Sequence, residues 1–192
     1  MEVGNYPQSV GLEAYNLKER VWGRIVNELA KRVDNPKAIL ILGLGGGTVA
    51  HLFAKQFPEV LIDSVEIDPV VVNVGKNFFG LDKIPNLKII VADAFEAIEN
   101  PENFGFRFPH YEAIVVDTYL RDESPRALED RKILKQIKEL LVHGGIAVFN
   151  RISRLSPQDF RLKLSGVFDS VEEVGVSYGW GLPPGNILFF CS

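Results

Sequence analysis

The sequence predicts an α/β fold in which helices cover both faces of a mostly parallel sheet. Short, continuously apolar runs alternate with longer stretches whose apolar residues recur at helical spacing, and two adjacent strand-like runs close the chain. Strands that alternate with helices form parallel sheets covered on both faces. The chain has 192 residues, of which 46% are hydrophobic and 24% charged. It can therefore bury one core, and we expect a single domain over residues 1–192.

Residues 1–35 are expected to form an N-terminal segment and a covering helix. An apolar stripe at helical spacing predicts this helix, because such a stripe faces a core. The stripe comprises Leu17, Val21, Trp22, Ile25, Val26, Leu29 and Val33. The run "AILIL" at 38–42 then predicts a strand buried on both faces, because it is continuously apolar and too short for a core helix.

Four more strands and a closing hairpin follow, which gives a seven-stranded sheet whose last strand runs antiparallel. The strands are predicted over 61–67, 87–92, 111–117 and 146–150, and the hairpin joins 170–178 to 186–191. Helices are predicted between the strands, over 49–57 and from Asp68-Pro69, Ser124-Pro125 and Ser156-Pro157, where a capping residue precedes a proline. Gly144-Gly145 is expected to end the helix that begins at Ser124. Residues 99–110 are expected to form a loop.

Composition and charge disfavour several classes of function. A net charge of −4 without a concentrated basic segment disfavours a general electrostatic grip on nucleic acid. The one cysteine, Cys191, cannot form an internal disulfide, and no apolar run approaches the roughly 18 residues that span a bilayer. The N-terminus lacks a signal-peptide pattern, so we expect a cytoplasmic protein. His51, His110 and His143 lack metal-ligand spacing, so no metal is expected; His143 is expected near a helix C-terminus.

A glycine cluster follows the first predicted strand, and several explanations fit it. Gly43, Gly45, Gly46 and Gly47 allow a tight turn and let a ligand approach bare backbone, although they can also serve only to shape the turn. Residues 45–50 match the dinucleotide pattern G-x-G-x-x-A. Glu66 lies 21 residues beyond Gly45 at the end of the second strand, where an acid binds ribose hydroxyls. Since the ribose is the same in NAD and in S-adenosylmethionine, Glu66 does not distinguish them.

Three acids at strand ends favour S-adenosylmethionine as the cofactor. Asp93 ends the third predicted strand and Asp117 the fourth, so both are expected beside Glu66 at one edge of the sheet. Asp93 can accept from an adenine amine, and it can also cap the helix "AFEAIE". A rim of three carboxylates repels a pyrophosphate and attracts a sulfonium cation that carries an amino group.

Five motifs in order resemble the nucleotide-binding domain of spermidine synthases and related class I S-adenosylmethionine-dependent methyltransferases, over residues 38–150. They are "ILILGLGGGT", "SVEIDPVVVNVGKNFF", "LKIIVADAFEAI", "YEAIVVDTYL" and "LLVHGGIAVFN". The resemblance implies a Rossmann-like class I methyltransferase fold. It also implies that Glu66 binds the ribose, that Asp93 and Ala94 bind the adenine and that Ile67 flanks its ring. Residues 43–47 would then accommodate the methionine arm, and Asp117 would face the transferring group.

The chain departs from the spermidine synthase pattern in three places. Those enzymes carry an acid in the glycine turn, in the pattern G-G-G-D-G-G, where this chain has Gly46. Their D-x-x-D motif after the fourth strand keeps only Asp117 here, because Leu120 takes the second acidic position and Asp122 comes two residues later. The stretch before the first strand is too short for their N-terminal β-stranded domain, although "YPQSVGLEAY" resembles the segment that joins it.

We therefore expect S-adenosylmethionine-dependent methyl transfer to a small-molecule acceptor. Asp117 is the candidate catalytic base, with Gln8, Tyr15, Tyr119 and Asp122 as the candidate acceptor contacts. The alternatives are aminopropyl transfer from decarboxylated S-adenosylmethionine and a non-catalytic binding module. A nicotinamide dehydrogenase comes last, because no hydride-transfer site is found. The missing domain also suggests a homodimer that completes the acceptor pocket.

Overall fold

The fold is organised around a seven-stranded sheet. The computed structural model describes residues 2–3, 6–7, 9–119, 125–153, 157–177, 179 and 181–192. A two-stranded antiparallel ribbon, β1 (Glu2–Val3) and β2 (Tyr6–Pro7), precedes the sheet. The strands of the sheet are β3 (Ala38–Leu42), β4 (Leu61–Glu66), β5 (Leu87–Val91), β6 (Tyr111–Val116), β7 (Leu141–Ile152), β8 (Val171–Val176) and β9 (Asn186–Cys191).

The strand order is β5-β4-β3-β6-β7-β9-β8. Strands β3 to β7 pair in parallel, and β9 lies antiparallel between β7 and β8. The chain runs outward from β3 to β5, then returns to place β6 on the other side of β3. The order thus reverses beside β3, which is where open parallel sheets bind ligands. The predicted α/β fold with its antiparallel last strand is confirmed.

Helices cover both faces of this sheet. They are α1 (Val21–Leu29), α2 (Thr48–Gln56), α3 (Pro69–Phe79), α4 (Ala94–Glu99), α5 (Pro101–Phe104), α6 (Arg131–Glu139) and α7 (Pro157–Ser165), with 3₁₀ helices at Leu81–Lys83 and Arg126–Glu129. The core on one face joins α1 and α2 to the sheet, and the core on the other joins α4, α6 and α7. Within the described part of the chain, no helix is long and apolar enough to cross a membrane.

The structure corrects the predicted end of the sixth helix. Asp130 caps α6 by accepting from the Lys132 backbone N–H at 2.8 Å, and the helix ends at Glu139, not at Gly144-Gly145. Both glycines lie inside β7, where the register with β6 shifts between Tyr111 and Ala113. Gly144 has a φ of +77°, a conformation that favours glycine. This backbone conformation accounts for a glycine here although no helix ends at this position. His143 therefore lies on a strand, and its predicted place at a helix C-terminus is wrong.

The segment predicted as a loop over 99–110 is more ordered than expected. It contains α5, and Arg107 in it anchors the chain to the middle of β4. The Arg107 backbone N–H and Nε donate to the two carboxylate oxygens of Asp63 at 2.7 and 2.5 Å, and Asp63 is fully buried. The Tyr111 hydroxyl donates to the same carboxylate at 2.8 Å.

Candidate functional site

The carboxyl ends of β3, β4, β5 and β6 bring the predicted acids to one edge of the sheet. Glu66 ends β4 and pairs in register with Val91 of β5, two residues before Asp93. Asp117 directly follows β6, and its backbone N–H donates to the Leu42 carbonyl at 2.9 Å. Each acid lies where its strand ends, as the sequence predicts for parallel strands. The function of these acids as ligand contacts stays a prediction.

The glycine turn between β3 and α2 is shaped by close packing. Gly43, Gly45 and Gly47 have φ angles of +90°, +55° and +88°, a region that glycine alone adopts readily. A β-carbon at Gly43 would lie 2.4 Å from the Asp117 carbonyl oxygen, and one at Gly47 would lie 2.1 Å from the Leu81 side chain. The backbone conformation and its neighbours therefore require glycine at Gly43 and Gly47, whatever the turn binds.

The N-terminal segment closes against this turn. The Ser9 hydroxyl accepts from the Gly46 N–H at 2.6 Å, and a β-carbon at Gly46 would lie 2.8 Å from the Ser9 β-carbon. The Thr48 hydroxyl accepts from the Val10 N–H at 3.0 Å and donates to the Val10 carbonyl at 2.8 Å. Gly46 and Thr48 also line a cleft of about 370 Å³ beside this segment. Residues 9–12 thus pack beside the glycine turn, and Val10, Gly11 and Leu12 line one side of this cleft.

Glu66 is held in a fixed orientation and suits a ribose. One of its carboxylate oxygens accepts from the Gly45 N–H at 2.8 Å and the other from the Asp68 N–H at 3.1 Å. A carboxylate has about four acceptor sites, so both oxygens keep capacity for hydroxyl donors. Ile67, the next residue, is 53% exposed. An oriented acceptor beside an exposed apolar side chain fits the ribose and adenine of an adenosyl ligand.

Asp93 is the N-cap of α4. Its Oδ1 accepts from the Phe95 and Glu96 N–H groups at 2.7 and 3.3 Å, as the capping interpretation predicted. Both capping bonds use Oδ1, so Oδ2 is the atom that points away from the cap bonds. The Ala94 side chain is buried in the core under α4. Any contact of Ala94 with a ligand would therefore come from its backbone.

Asp117 differs from Glu66 and Asp93 because side chains, not backbone N–H groups, donate to its carboxylate. The side-chain amide of Asn150, at the carboxyl end of β7, donates to Asp117 Oδ1 at 2.7 Å, and the Trp22 indole N–H donates to the same carboxylate. The Tyr119 hydroxyl donates to the Asn150 carbonyl at 2.7 Å. Burial raises the pKa of Asp117, the Asn150 and Trp22 hydrogen bonds oppose that rise, and the charge of Glu66 adds to it.

Sequence reasoning missed Asn150 and Trp22 as members of this site. Asn150 is a polar residue that ends an apolar run, the same signal that identified Glu66, Asp93 and Asp117. Trp22 gives no such signal, because it fits the apolar stripe of α1 and only its indole N–H reaches the site.

Of the predicted acceptor contacts, the structure places Tyr119 near Asp117 but, in the ranges it describes, shows no such link for Tyr15. Tyr119 joins the Asp117 network through Asn150, but Tyr15 is 83% exposed and no hydrogen bond among the described residues joins it to Asp117. Gln8 and Asp122, as well as Leu120, lie outside the described residues. In the part of the chain that the structure describes, no three His, Cys, Asp or Glu side chains are grouped to hold a metal ion.

The curated proteins with similar sequences include two groups of transferases. An eEF1A lysine and N-terminal methyltransferase from Mus musculus is 32% identical over 68% of this chain and 19% of its own length. A polyamine aminopropyltransferase from Vibrio vulnificus (strain CMCP6) is 35% identical over 65% of this chain and 42% of its own length. The chain thus spans about a fifth of the mouse relative and less than half of the bacterial one.

Solved structures show the same two groups. Human methyltransferase-like protein 13, solved in complex with SAH, superposes with a TM-score of 0.75 and 25% identity, over 89% of this chain and 81% of that one. A probable spermidine synthase from Corynebacterium glutamicum ATCC 13032 superposes with a TM-score of 0.73 and 22% identity, over 96% and 65% of the two chains. The second likeness shows the fold alone, and the likeness to the human methyltransferase confirms the predicted class I methyltransferase fold.

These matches correct one expectation and confirm another. The small-molecule acceptor expected from the sequence is wrong, because the methyltransferases that resemble this chain in sequence act on a protein by their names. The family resemblance is confirmed: the model of the spermine/spermidine synthase domain matches residues 23–159. Since this match covers most of the 192 residues, the chain belongs to the spermine/spermidine synthase domain family.

Proposed function

We propose that this chain binds S-adenosylmethionine at the carboxyl edge of β3 and β4 and transfers its methyl group to an amine of a protein. The observation that carries the proposal is the Asp117–Asn150 pair, which lies beside the glycine turn at the strand where the sheet order reverses. Similarity to eEF1A lysine and N-terminal methyltransferases supports a protein amine as the acceptor class.

The residues of this edge suit the parts of the cofactor. Glu66 would accept from the ribose hydroxyls, Asp93 Oδ2 from the adenine amine, and Ile67 would pack on the ring. The turn over residues 43–47 would lie against the methionine arm. When bound, S-adenosylmethionine would supply a methyl group activated by its positively charged sulfur, and that sulfur would be the leaving group, as a neutral thioether.

Asp117 is assigned to the acceptor amine. A lysine side chain or a protein N-terminus arrives largely protonated at neutral pH and must lose a proton before it attacks. The ionised Asp117 carboxylate attracts the ammonium, accepts its hydrogen bond and then takes its proton, while Asn150 and Trp22 hold the carboxylate in place. Orientation and exclusion of water contribute about 7–11 kcal/mol in favourable model reactions, so positioning can supply a large share of the acceleration.

Aminopropyl transfer is the second candidate, favoured by the 35% identity to a polyamine aminopropyltransferase. The local geometry opposes it. The position that carries the amine-binding acid in spermidine synthases is Gly46 here, and Ser9 fills the space that a side chain there would occupy. Methyl transfer needs no acid at this position, so it remains the first proposal.

The cofactor is tested by thermal unfolding with S-adenosylmethionine, S-adenosylhomocysteine, decarboxylated S-adenosylmethionine, methylthioadenosine and NAD. A ligand at 100 times its dissociation constant stabilises the fold by about 2.7 kcal/mol, which raises the melting temperature by roughly 2–4 °C per kcal/mol. We expect S-adenosylmethionine and S-adenosylhomocysteine to give the largest rises. A preference for decarboxylated S-adenosylmethionine would support aminopropyl transfer instead.

The acceptor is tested with S-adenosylmethionine that carries a tritiated methyl group and purified eEF1A as the probe. We expect label on the protein, and mass spectrometry of its peptides to place it on a lysine or on the N-terminus. Asp117→Ala should abolish the transfer while leaving the thermal response to S-adenosylhomocysteine. Labelling of putrescine or spermidine with eEF1A left unlabelled would overturn the protein acceptor.

A further inference from the structure

We propose that Asn186, on the closing hairpin strand β9, is a positioning residue that fixes the Asn150 amide so that its NH2 group faces Asp117. The Asn186 Nδ2 donates to Asn150 Oδ1 at 2.9 Å, and Asn150 Nδ2 donates to Asp117 Oδ1 at 2.7 Å. The catalytic consequence rests on the proposed function, but the arrangement itself does not.

A single amide next to a carboxylate has two orientations, and Asn186 selects one of them. An asparagine side chain presents an acceptor oxygen on one side and an NH2 donor on the other, in nearly the same shape. An ionised carboxylate only accepts, so a reversed Asn150 would set two acceptors against each other. Asn150 is 5% exposed, so bulk water does not relieve that clash. A donor from Asn186 on Asn150 Oδ1 therefore favours the orientation that stabilises ionised Asp117.

The strand register places Asn150 and Asn186 within paired strands of the sheet. Asn186 pairs with Ile152 of β7 and with Val176 of β8, so its backbone is held from both sides. Asn150 pairs with Leu188 on the same strand as Asn186. The closing hairpin comes after the predicted cofactor-binding residues in the sequence. The Asn150 side-chain amide nevertheless connects it to the candidate catalytic carboxylate of Asp117.

The groups around Asp117 set the direction of the expected effect. Glu66 faces it from β4 and raises its pKa, and Trp22 from α1 and Asn150 from β7 each donate a hydrogen bond that lowers the pKa. If Asn150 loses its orientation, the pKa of Asp117 rises further above its ordinary value. At a given pH, less of Asp117 is then ionised and able to accept from an amine.

The indole N–H of Trp22 gives a direct readout of this pKa. The chain has two tryptophans, so the ¹⁵N-labelled protein shows two indole signals, and Trp22→Phe assigns one of them. The Trp22 proton donates to Asp117, so its chemical shift should titrate as Asp117 is protonated. The titration uses neither cofactor nor acceptor. Its outcome is therefore separate from the methyl-transfer assay.

We expect Asn186→Leu and Asn186→Asp each to move the titration midpoint of the Trp22 signal upward by about one pH unit, the size of losing one hydrogen bond to a charged group. Asn186→Leu removes the donor without adding charge. Asn77→Asp is the charge control, because Asn77 is exposed on α3 and its amide donates to Asn73. It should leave the midpoint at the wild-type value.

An unchanged midpoint in folded Asn186→Leu and Asn186→Asp would overturn the proposal. A second measurement needs only the wild-type protein. The NH2 signals of Asn150 should titrate together with the Trp22 indole, because both groups donate to Asp117. Asn150 NH2 signals that do not respond over that pH range would show the opposite amide orientation and would also overturn it.

Discussion

Asp93 caps a helix and is also proposed to bind the ligand. A shorter side chain at this position distinguishes the two functions. Its Oδ1 caps α4, whereas ligand binding is assigned to Oδ2. Serine is a good N-cap but is too short to reach a ligand beyond the helix end. We therefore expect Asp93→Ser to melt close to the wild-type temperature without ligand and to show a smaller rise with S-adenosylhomocysteine.

Two further variants complete that comparison by thermal unfolding. Asp93→Ala should also lower the unliganded melting temperature, because loss of an N-cap costs about 1 kcal/mol. Asp130→Ser changes the equivalent cap of α6 and should keep the full response to S-adenosylhomocysteine. If Asp93→Ser responds to the ligand as the wild type does, Asp93 is only a cap.

At the scale of elements, the N-terminal segment determines what the glycine turn can hold. Gly46→Asp places a β-carbon 2.8 Å from the Ser9 β-carbon and 3.0 Å from its hydroxyl oxygen. Such overpacking costs about 1–3 kcal/mol. We expect Gly46→Asp to lower the melting temperature and to gain no aminopropyl transfer from decarboxylated S-adenosylmethionine, measured by product formation with putrescine.

The same segment offers a matched control and a compensating variant. An added β-carbon at Gly11 meets nothing within 4 Å, so Gly11→Ala should melt near the wild-type temperature. Adding Ser9→Gly to Gly46→Asp should restore part of the lost stability, because the two side chains no longer collide. A Gly46→Asp protein as stable as Gly11→Ala would show that Ser9 moves away freely.

The segment before β6 is fastened to β4 by one buried carboxylate. Arg107→Met removes the Nε donor to Asp63 and the Nη2 donor to the Ile62 carbonyl, which leaves a fully buried carboxylate short of its charge partner. Breaking a buried pair from one side costs about 3–5 kcal/mol. We expect urea unfolding of Arg107→Met to show a loss of this size with an unchanged m value.

The control for Arg107 is an ion pair at the surface. Lys132 of α6 bonds to Glu99 of α4 at 2.6 Å, and the Lys132 side chain is 67% exposed. Exposed pairs contribute little to stability, so Lys132→Met should unfold at nearly the wild-type urea concentration. Equal losses in Arg107→Met and Lys132→Met would contradict the anchoring role of Arg107.

Over the whole molecule, the sequence predicts the site residues that lie at strand ends. It does not predict the contacts between segments that are far apart in the chain. Glu66, Asp93 and Asp117 were identifiable because each ends an apolar run and parallel strands end at a common edge. The contacts of Ser9 with Gly46 and of Asn186 with Asn150 join residues 37 and 36 positions apart, and no local pattern marks them. Gly144-Gly145 led to a wrong prediction of a helix end. Glycine adopts a positive φ equally well at a helix end and at an irregularity inside a strand, and the sequence does not distinguish the two.

The single cysteine tests whether the closing hairpin unfolds together with the ligand edge. Cys191 is fully buried on β9, between Ala147 of β7 and Val171 of β8, and burial raises the pKa of its thiol. Only thiolate that reaches solvent reacts, so Ellman's reagent should modify Cys191 slowly in the folded protein and at once in guanidinium chloride. When the reagent reacts more slowly than the protein refolds, the labelling rate is proportional to the population of the unfolded, open state.

S-adenosylhomocysteine at 100 times its dissociation constant should slow this labelling about a hundredfold if Cys191 is exposed only by global unfolding. NAD at the same concentration should leave the rate unchanged. If S-adenosylhomocysteine raises the melting temperature but does not slow the labelling, the hairpin opens by itself and is not part of the cooperative unit that carries the ligand edge. That result would show that β9, with Asn186, can separate from β7 while the ligand edge stays folded.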